Sequence, residues 1–131
     1  MSHTIKVSKS PDGKLQQRIE IGRNVFFADV DEADGGDDAG PDPHDLLDAA
    51  LGACTALTVT MVAQRRKLPL TDVRVEITHE EGGGLYKLNR RIELVGELDD
   101  AQRAYLLGIA NKCPIHKALQ GRFEIETQLA S

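Results

Sequence analysis

The sequence predicts an α+β fold, and three features of its element order predict it. Short strand-like runs broken by turn residues fill the first thirty positions, a single long helical pattern follows over residues 43 to 67, and a hairpin-like strand pair leads into two short helices and a last strand-like run. Strands, long helix, two strands, two helices and a strand form a layered α+β arrangement. At 131 residues with 40% apolar content, the chain is expected to form one domain over residues 1–131, with a core that needs neither metal nor disulfide scaffold. That core comes from Ile, Val, Leu and Ala, because the chain has three Phe, two Tyr and no Trp.

The runs HTIKVSK (3–9), KLQQRIEI (14–21) and NVFFADV (24–30) are separated by PDG and GR, so they read as a strand meander with tight turns. Residues 31–42, DEADGGDDAGPD, offer little to a core and predict an exposed, solvated loop. Nine acidic residues between Asp29 and Asp48 raise the question of calcium. An EF-hand loop needs an oxygen ligand at its fifth position, and counting from Asp29 that position is Ala33. The register fails.

DPHDLLDAALGACTALTVTMVAQRRK (42–67) opens with Asp42 as a cap, Pro43 at the first helical position and Asp45 in the first turn, each suited to a helix start. Leu47, Ala50, Leu51, Cys54, Leu57, Thr58 and Met61 recur at helical spacing as one apolar stripe. Polar and cationic residues then close the helix before Pro69. In LTDVRVEITHE (70–80), Val73, Val75 and Ile77 alternate with charged neighbours, and in KLNRRIELVGEL (87–98) Leu88, Arg90, Ile92 and Leu94 do the same. With EGGG between them, the two form an antiparallel hairpin that turns one face to a core. Asp99 or Asp100 caps a second helix to about residue 111, Pro114 restarts a short third helix that Gly121 ends, and FEIETQL (123–129) is expected to be a closing strand.

A net charge of −5, with no aromatic-backed basic stripe, argues against a nucleic-acid partner. No uninterrupted apolar run reaches the 18 or so residues that cross a membrane, and MSHTIKVSKS has no signal-peptide core. The expectation is a cytoplasmic protein without a membrane partner.

Two cysteines cannot build a secreted-type disulfide framework. If Pro114 is the first helical residue, Cys113 is the helix cap, where unpaired N–H groups favour a thiolate. The residues alone leave Cys113 open as a redox thiol, an inert buried thiol or a metal ligand, and Cys54 taken alone reads as core. A zinc site from Cys113, His116, Cys54 and His44 fails as a set, because His44 and Cys54 are ten residues apart on one helix, about 15 Å by its rise. His79 and His3 have no evident partner in the sequence.

GPDPHDLLDAALGACTALTVTMVA and NKCPIHKAL, with the elements around them, resemble the OsmC/Ohr superfamily of thiol-dependent hydroperoxide reductases over nearly the whole chain, and resemble its less characterised branch most. The resemblance implies an OsmC-like fold, antiparallel sheets around a long central helix, in an intertwined homodimer with two sites at the subunit boundary. It implies that Cys54 is the peroxidatic thiol and Cys113 its resolving partner, with an organic hydroperoxide as substrate, an external dithiol as reductant, and no metal or organic cofactor. The family's assisting arginine corresponds to Arg23 or Arg18, with Arg23 preferred because it precedes the acidic loop. The family's glutamate, ten residues before the cysteine, is His44 here. That departure leaves the arginine–carboxylate clamp incomplete unless Asp45 or Asp48 substitutes, and gives His44 the role of a hydrogen-bonding or partly charged group. Leu47, Leu51 and Leu57 are candidates for an apolar substrate approach. The alternative expectation is a non-enzymatic OsmC-like protein that binds a small apolar or electrophilic ligand.

Overall fold

The computed structural model describes residues 3–131. Met1 and Ser2, the start of the stretch read above for a signal peptide, lie outside the described residues. The chain divides into two compact units, one ending at Leu47 and the other beginning at Asp48.

The first unit is the expected meander. β1 (Ile5–Lys9), β2 (Gln17–Ile21) and β3 (Asn24–Ala28) form an antiparallel sheet in that order, with Ile5 opposite Ile21 and Ile21 opposite Asn24. The acidic loop that follows is exposed along most of its length, yet it is wound around a buried carboxylate. Asp29 accepts from the backbone amides of Val30 at 2.8 Å, Asp37 at 3.2 Å and Ala39 at 3.0 Å. Gly36 makes this winding sterically feasible, since a Cβ there would stand 2.2 Å from the Val30 carbonyl oxygen.

α1 (Pro43–Arg65) starts as the sequence predicts: Asp42 Oδ1 accepts from the Asp45 amide at 2.9 Å. The apolar stripe read from the sequence coincides with the buried face only in part, at Leu51. Asp48, Leu51, Thr55, Val59 and Ala63 are buried, whereas Leu57 and Met61 are 62% and 47% exposed. Hydropathy misplaced the face because two of its buried members are polar groups satisfied by side chains distant in sequence. α1 is also long and apolar enough to cross a membrane by length and composition, with a mean hydropathy of 1.7 over 18 residues. Counting uninterrupted apolar residues missed this, because Asp48 and the threonines break the run without lowering the average below the membrane range.

In the second unit, β4 (Leu70–Gly82) and β5 (Leu85–Gly96) form the expected antiparallel hairpin. Gly83 and Gly84 make its two-residue turn with φ of +58° and +79°, the pair of positive values that a type I′ turn requires and glycine adopts without strain. α2 (Asp100–Ala110) opens with a capping box between Asp99 and Gln102. α3 (Pro114–Gln120) has Cys113 as its N-cap. The core joins Val59 and Ala63 of α1 to Leu106 and Ala110 of α2, with Val73, Ile92 and Leu94 of the hairpin packed against them.

The expected closing strand is a correction. Residues 122–131 belong to neither sheet, and Phe123, Ile125 and Leu129 are exposed. Alternating side chains mark a chain suited to a sheet, but a strand forms only where a neighbouring edge supplies its backbone hydrogen bonds.

Candidate functional site

The second unit brings both cysteines to one turn of backbone. Cys113 takes the N-cap conformation, φ −64° and ψ 146°, because Pro114 fits the first helical position and restricts the residue before it to extended geometry. Its sulfur accepts from the His116 amide at 3.3 Å, and the preceding amide, that of Ile115, points to Cys54 Sγ at 3.5 Å. Two consecutive N–H groups of α3 therefore serve two sulfurs that are 59 residues apart in sequence. Both thiols are free, Cys113 fully buried and Cys54 partly accessible. Cys54 is therefore the more accessible of the two residues.

Around Cys113 lies a polar group that hydropathy and spacing do not point to. Thr55, fully buried, donates its hydroxyl to the Leu51 carbonyl at 2.7 Å and has its oxygen 3.9 Å from Cys113 Sγ. Arg90 donates to that same Thr55 oxygen at 3.0 Å, to the Ala110 carbonyl at 3.3 Å and to Asn111 Oδ1 at 2.5 Å. The available signal was Arg90's place in the inward register between Leu88 and Ile92, where a charged side chain needs a specific partner.

A second polar cluster lies on the same sheet face. His79 Nδ1 pairs with Asp48, the Tyr86 hydroxyl donates to the other Asp48 oxygen at 2.8 Å, and the His79 and Tyr86 rings stack with centroids 4.8 Å apart. His79 thus has a partner that the sequence reading could not name. Asp48, weighed above as a substitute for the family's glutamate, is buried and engaged by these two side chains. A cavity of about 400 Å³ borders this region, lined by Leu51, Tyr86, Leu88, Arg90, His116 and Leu119 among others. Of the leucines considered for a substrate approach, Leu51 faces this cavity, and Leu57 is exposed.

Arg23, His44, Arg18 and Asp45 belong to the first unit. Arg23 is exposed in the β2–β3 turn, His44 is exposed in the first turn of α1, and Arg18 on β2 is paired with Glu20. Among the described residues, no three His, Cys, Asp or Glu side chains gather as a metal-ligand group.

The family described as OsmC-like protein matches residues 35–128. No curated protein matches the chain. Among solved structures, an OsmC-like protein from Mycoplasma pneumoniae superposes with a TM-score of 0.76 at 17% identity, over 92% of this chain and 89% of that one. An organic hydroperoxide resistance protein OsmC from Legionella pneumophila gives 0.63 at 21% identity, over 91% and 90%. OhrB of Bacillus subtilis, an organic hydroperoxide resistance protein, gives 0.60 at 21% identity, over 90% and 91%. At such identities the likeness establishes the shared fold.

Proposed function

Because the chain belongs to the OsmC-like protein family, whose match spans most of its length, we propose that it reduces organic hydroperoxides through a thiol–disulfide cycle between Cys54 and Cys113. The observation that carries this reading is the pair of consecutive amides, Ile115 and His116, each directed at one of the two sulfurs. Such N–H donors support sulfur as it takes on negative charge.

In this cycle the Cys54 thiolate attacks the distal oxygen of the hydroperoxide. The O–O bond breaks, the alkoxide leaves and takes a proton to become the alcohol, and Cys54 is left as a sulfenic acid. The Cys113 thiolate then attacks the Cys54 sulfur, the S–O bond breaks, and hydroxide leaves as water after protonation. An external dithiol reduces the resulting disulfide by exchange, itself becoming a disulfide. Structures named for organic hydroperoxide resistance share the fold, which supports this substrate class. The steps above run on the two thiols without calling on Arg23 or His44, and the setting is cytoplasmic. A second copy of the chain covers the exposed Leu57 and Met61 of α1 and takes up the exposed segment after α3.

The test is to mix reduced protein with a small excess of cumene hydroperoxide and follow intact mass and free thiols over seconds. The expected result is loss of both thiols with a mass decrease of about two daltons, one disulfide for two hydrogens. The Cys113→Ser variant stops at sulfenic acid, and Cys54→Ser does not react. Oxidation of both thiols only at the slow rate of an ordinary free cysteine would overturn the reading in favour of a ligand-binding member of the family.

A further inference from the structure

We infer that Arg90, acting through Thr55, is the positioning residue that equips Cys113 to attack the sulfur of Cys54. The inference deepens the thiol–disulfide reading and rests on it.

Three observations carry it. First, Arg90 sits opposite Ile77 on the inward face of the hairpin, between Leu88 and Ile92 in the row that also holds Tyr86 and Leu94. A guanidinium there gives up part of its hydration and needs a compensating environment. Second, its side-chain partners are all neutral: the Thr55 hydroxyl, the Ala110 carbonyl and the Asn111 amide oxygen. Among the described residues no carboxylate forms an ion pair with it, so its positive charge is left available to a group that becomes negative during the reaction. Third, the link to Cys113 has a definite proton direction. Thr55 has one hydroxyl proton, given to the Leu51 carbonyl at 2.7 Å, so toward Arg90 and Cys113 its oxygen accepts. The resting Cys113 S–H therefore points at an oxygen that Arg90 already holds in place.

When Cys113 loses its proton, the Thr55 hydroxyl can turn from Leu51 toward the sulfur 3.9 Å away, and Arg90 holds the oxygen as it turns. The thiolate then forms the S–S bond to Cys54 as the group on Cys54 departs with its electron pair. With a sulfenic acid the departing group is hydroxide, which takes up the proton that Cys113 released. A structural role alone, Arg90 capping the carbonyl end of α2, accounts for the Ala110 and Asn111 contacts and not for the one to Thr55.

The experiment reads Cys113 without peroxide. The reduced protein is mixed with dithiobisnitrobenzoate. Attack by the accessible Cys54 releases one coloured thionitrobenzoate, and attack by Cys113 on the mixed disulfide at Cys54 releases the second. Arg90→Gln is expected to slow the second release about tenfold or more while leaving the first within about threefold, and Arg90→Lys to recover most of the loss. Thr55→Val, which keeps shape and removes the hydroxyl, is expected to slow the second release to a similar degree, with Thr55→Ser restoring it. Second release at the unaltered rate in Arg90→Gln, with only thermal stability lowered, would overturn the assignment and leave Arg90 as a helix cap. If Arg90→Gln does not fold, the Thr55→Val and Thr55→Ser pair decides on the same criterion. A two-step release whose second step is slowed in Arg90→Gln or Thr55→Val, in a protein inert to cumene hydroperoxide, would mean that the peroxide reading fails and the Arg90 assignment stands.

Discussion

Asp48 and His79 are bonded across the second unit, the carboxylate from α1 and the imidazole from β4, joining elements 31 residues apart. Tyr86 completes the arrangement from β5, so one buried carboxylate fastens the long helix to both strands of the hairpin. Removing it takes the acceptor from the half-buried Tyr86 hydroxyl and the carboxylate partner from the His79 ring nitrogen. Asp48→Ala is expected to destabilise the protein by about 2–4 kcal/mol and Asp48→Asn by less, read from urea midpoints at neutral pH. Equal stability of Asp48→Ala and the unaltered protein would show that the cluster does not tie the helix to the hairpin.

The same cluster shows where sequence reading reached and where it stopped. The start of α1 was legible because Asp42 and Pro43 act locally, and the hairpin was legible because alternation and the glycine pair are local as well. Cys113 as an N-cap followed from Pro114 alone. The buried face of α1 did not follow, because Asp48 and Thr55 look like surface residues until Tyr86, His79 and Arg90, 31 to 38 positions away, supply their partners. Pairing of residues 123–129 was equally out of reach, since alternation reports side chains and says nothing of an available edge.

Asp29 gives the first unit an acid-sensitive point. Backbone amides, that of Ala39 foremost and then those of Val30 and Asp37, hold its carboxyl below the ordinary aspartate value of 3.8 against the opposing effect of burial. A group whose folded value is depressed stabilises fully above its unfolded value, and that stabilisation is lost as pH falls through the folded value. The stability difference between the unaltered protein and Asp29→Asn should therefore be constant above about pH 5 and shrink steadily below about pH 4. Urea midpoints against pH measure it. A difference that grows toward acid would contradict this account of the loop.

Gly36 tests the same loop sterically. A Cβ there meets the Val30 carbonyl oxygen at 2.2 Å and Asp29 Oδ1 at 2.6 Å, so Gly36→Ala must push the backbone off the carboxylate. The expected loss is about 1–3 kcal/mol, and amides 37 and 39 should exchange with deuterium faster. Unchanged exchange at those two amides would mean that the loop does not depend on this close approach.

The outward side of α1 bears on assembly. Leu57 is 62% exposed on a helix whose opposite side packs against the hairpin, and Phe123, Ile125 and Leu129 are 63%, 87% and 91% exposed on a segment outside both sheets. A second copy that covers Leu57 stabilises the pair by about 1.5–3 kcal/mol for each leucine buried, and in a symmetric dimer each copy contributes one. Leu57→Glu replaces that gain with two buried charges. The dissociation constant should rise by roughly a hundredfold or more, and light scattering at micromolar concentration should move from a mass near two chains toward one. Ile125→Asp, on the segment after α3, should act in the same direction if that segment also lies in the contact. A unaltered protein that already scatters as one chain would remove the dimer from the proposed function, and leave the amide pair of Ile115 and His116 to serve a thiol site complete within a single copy.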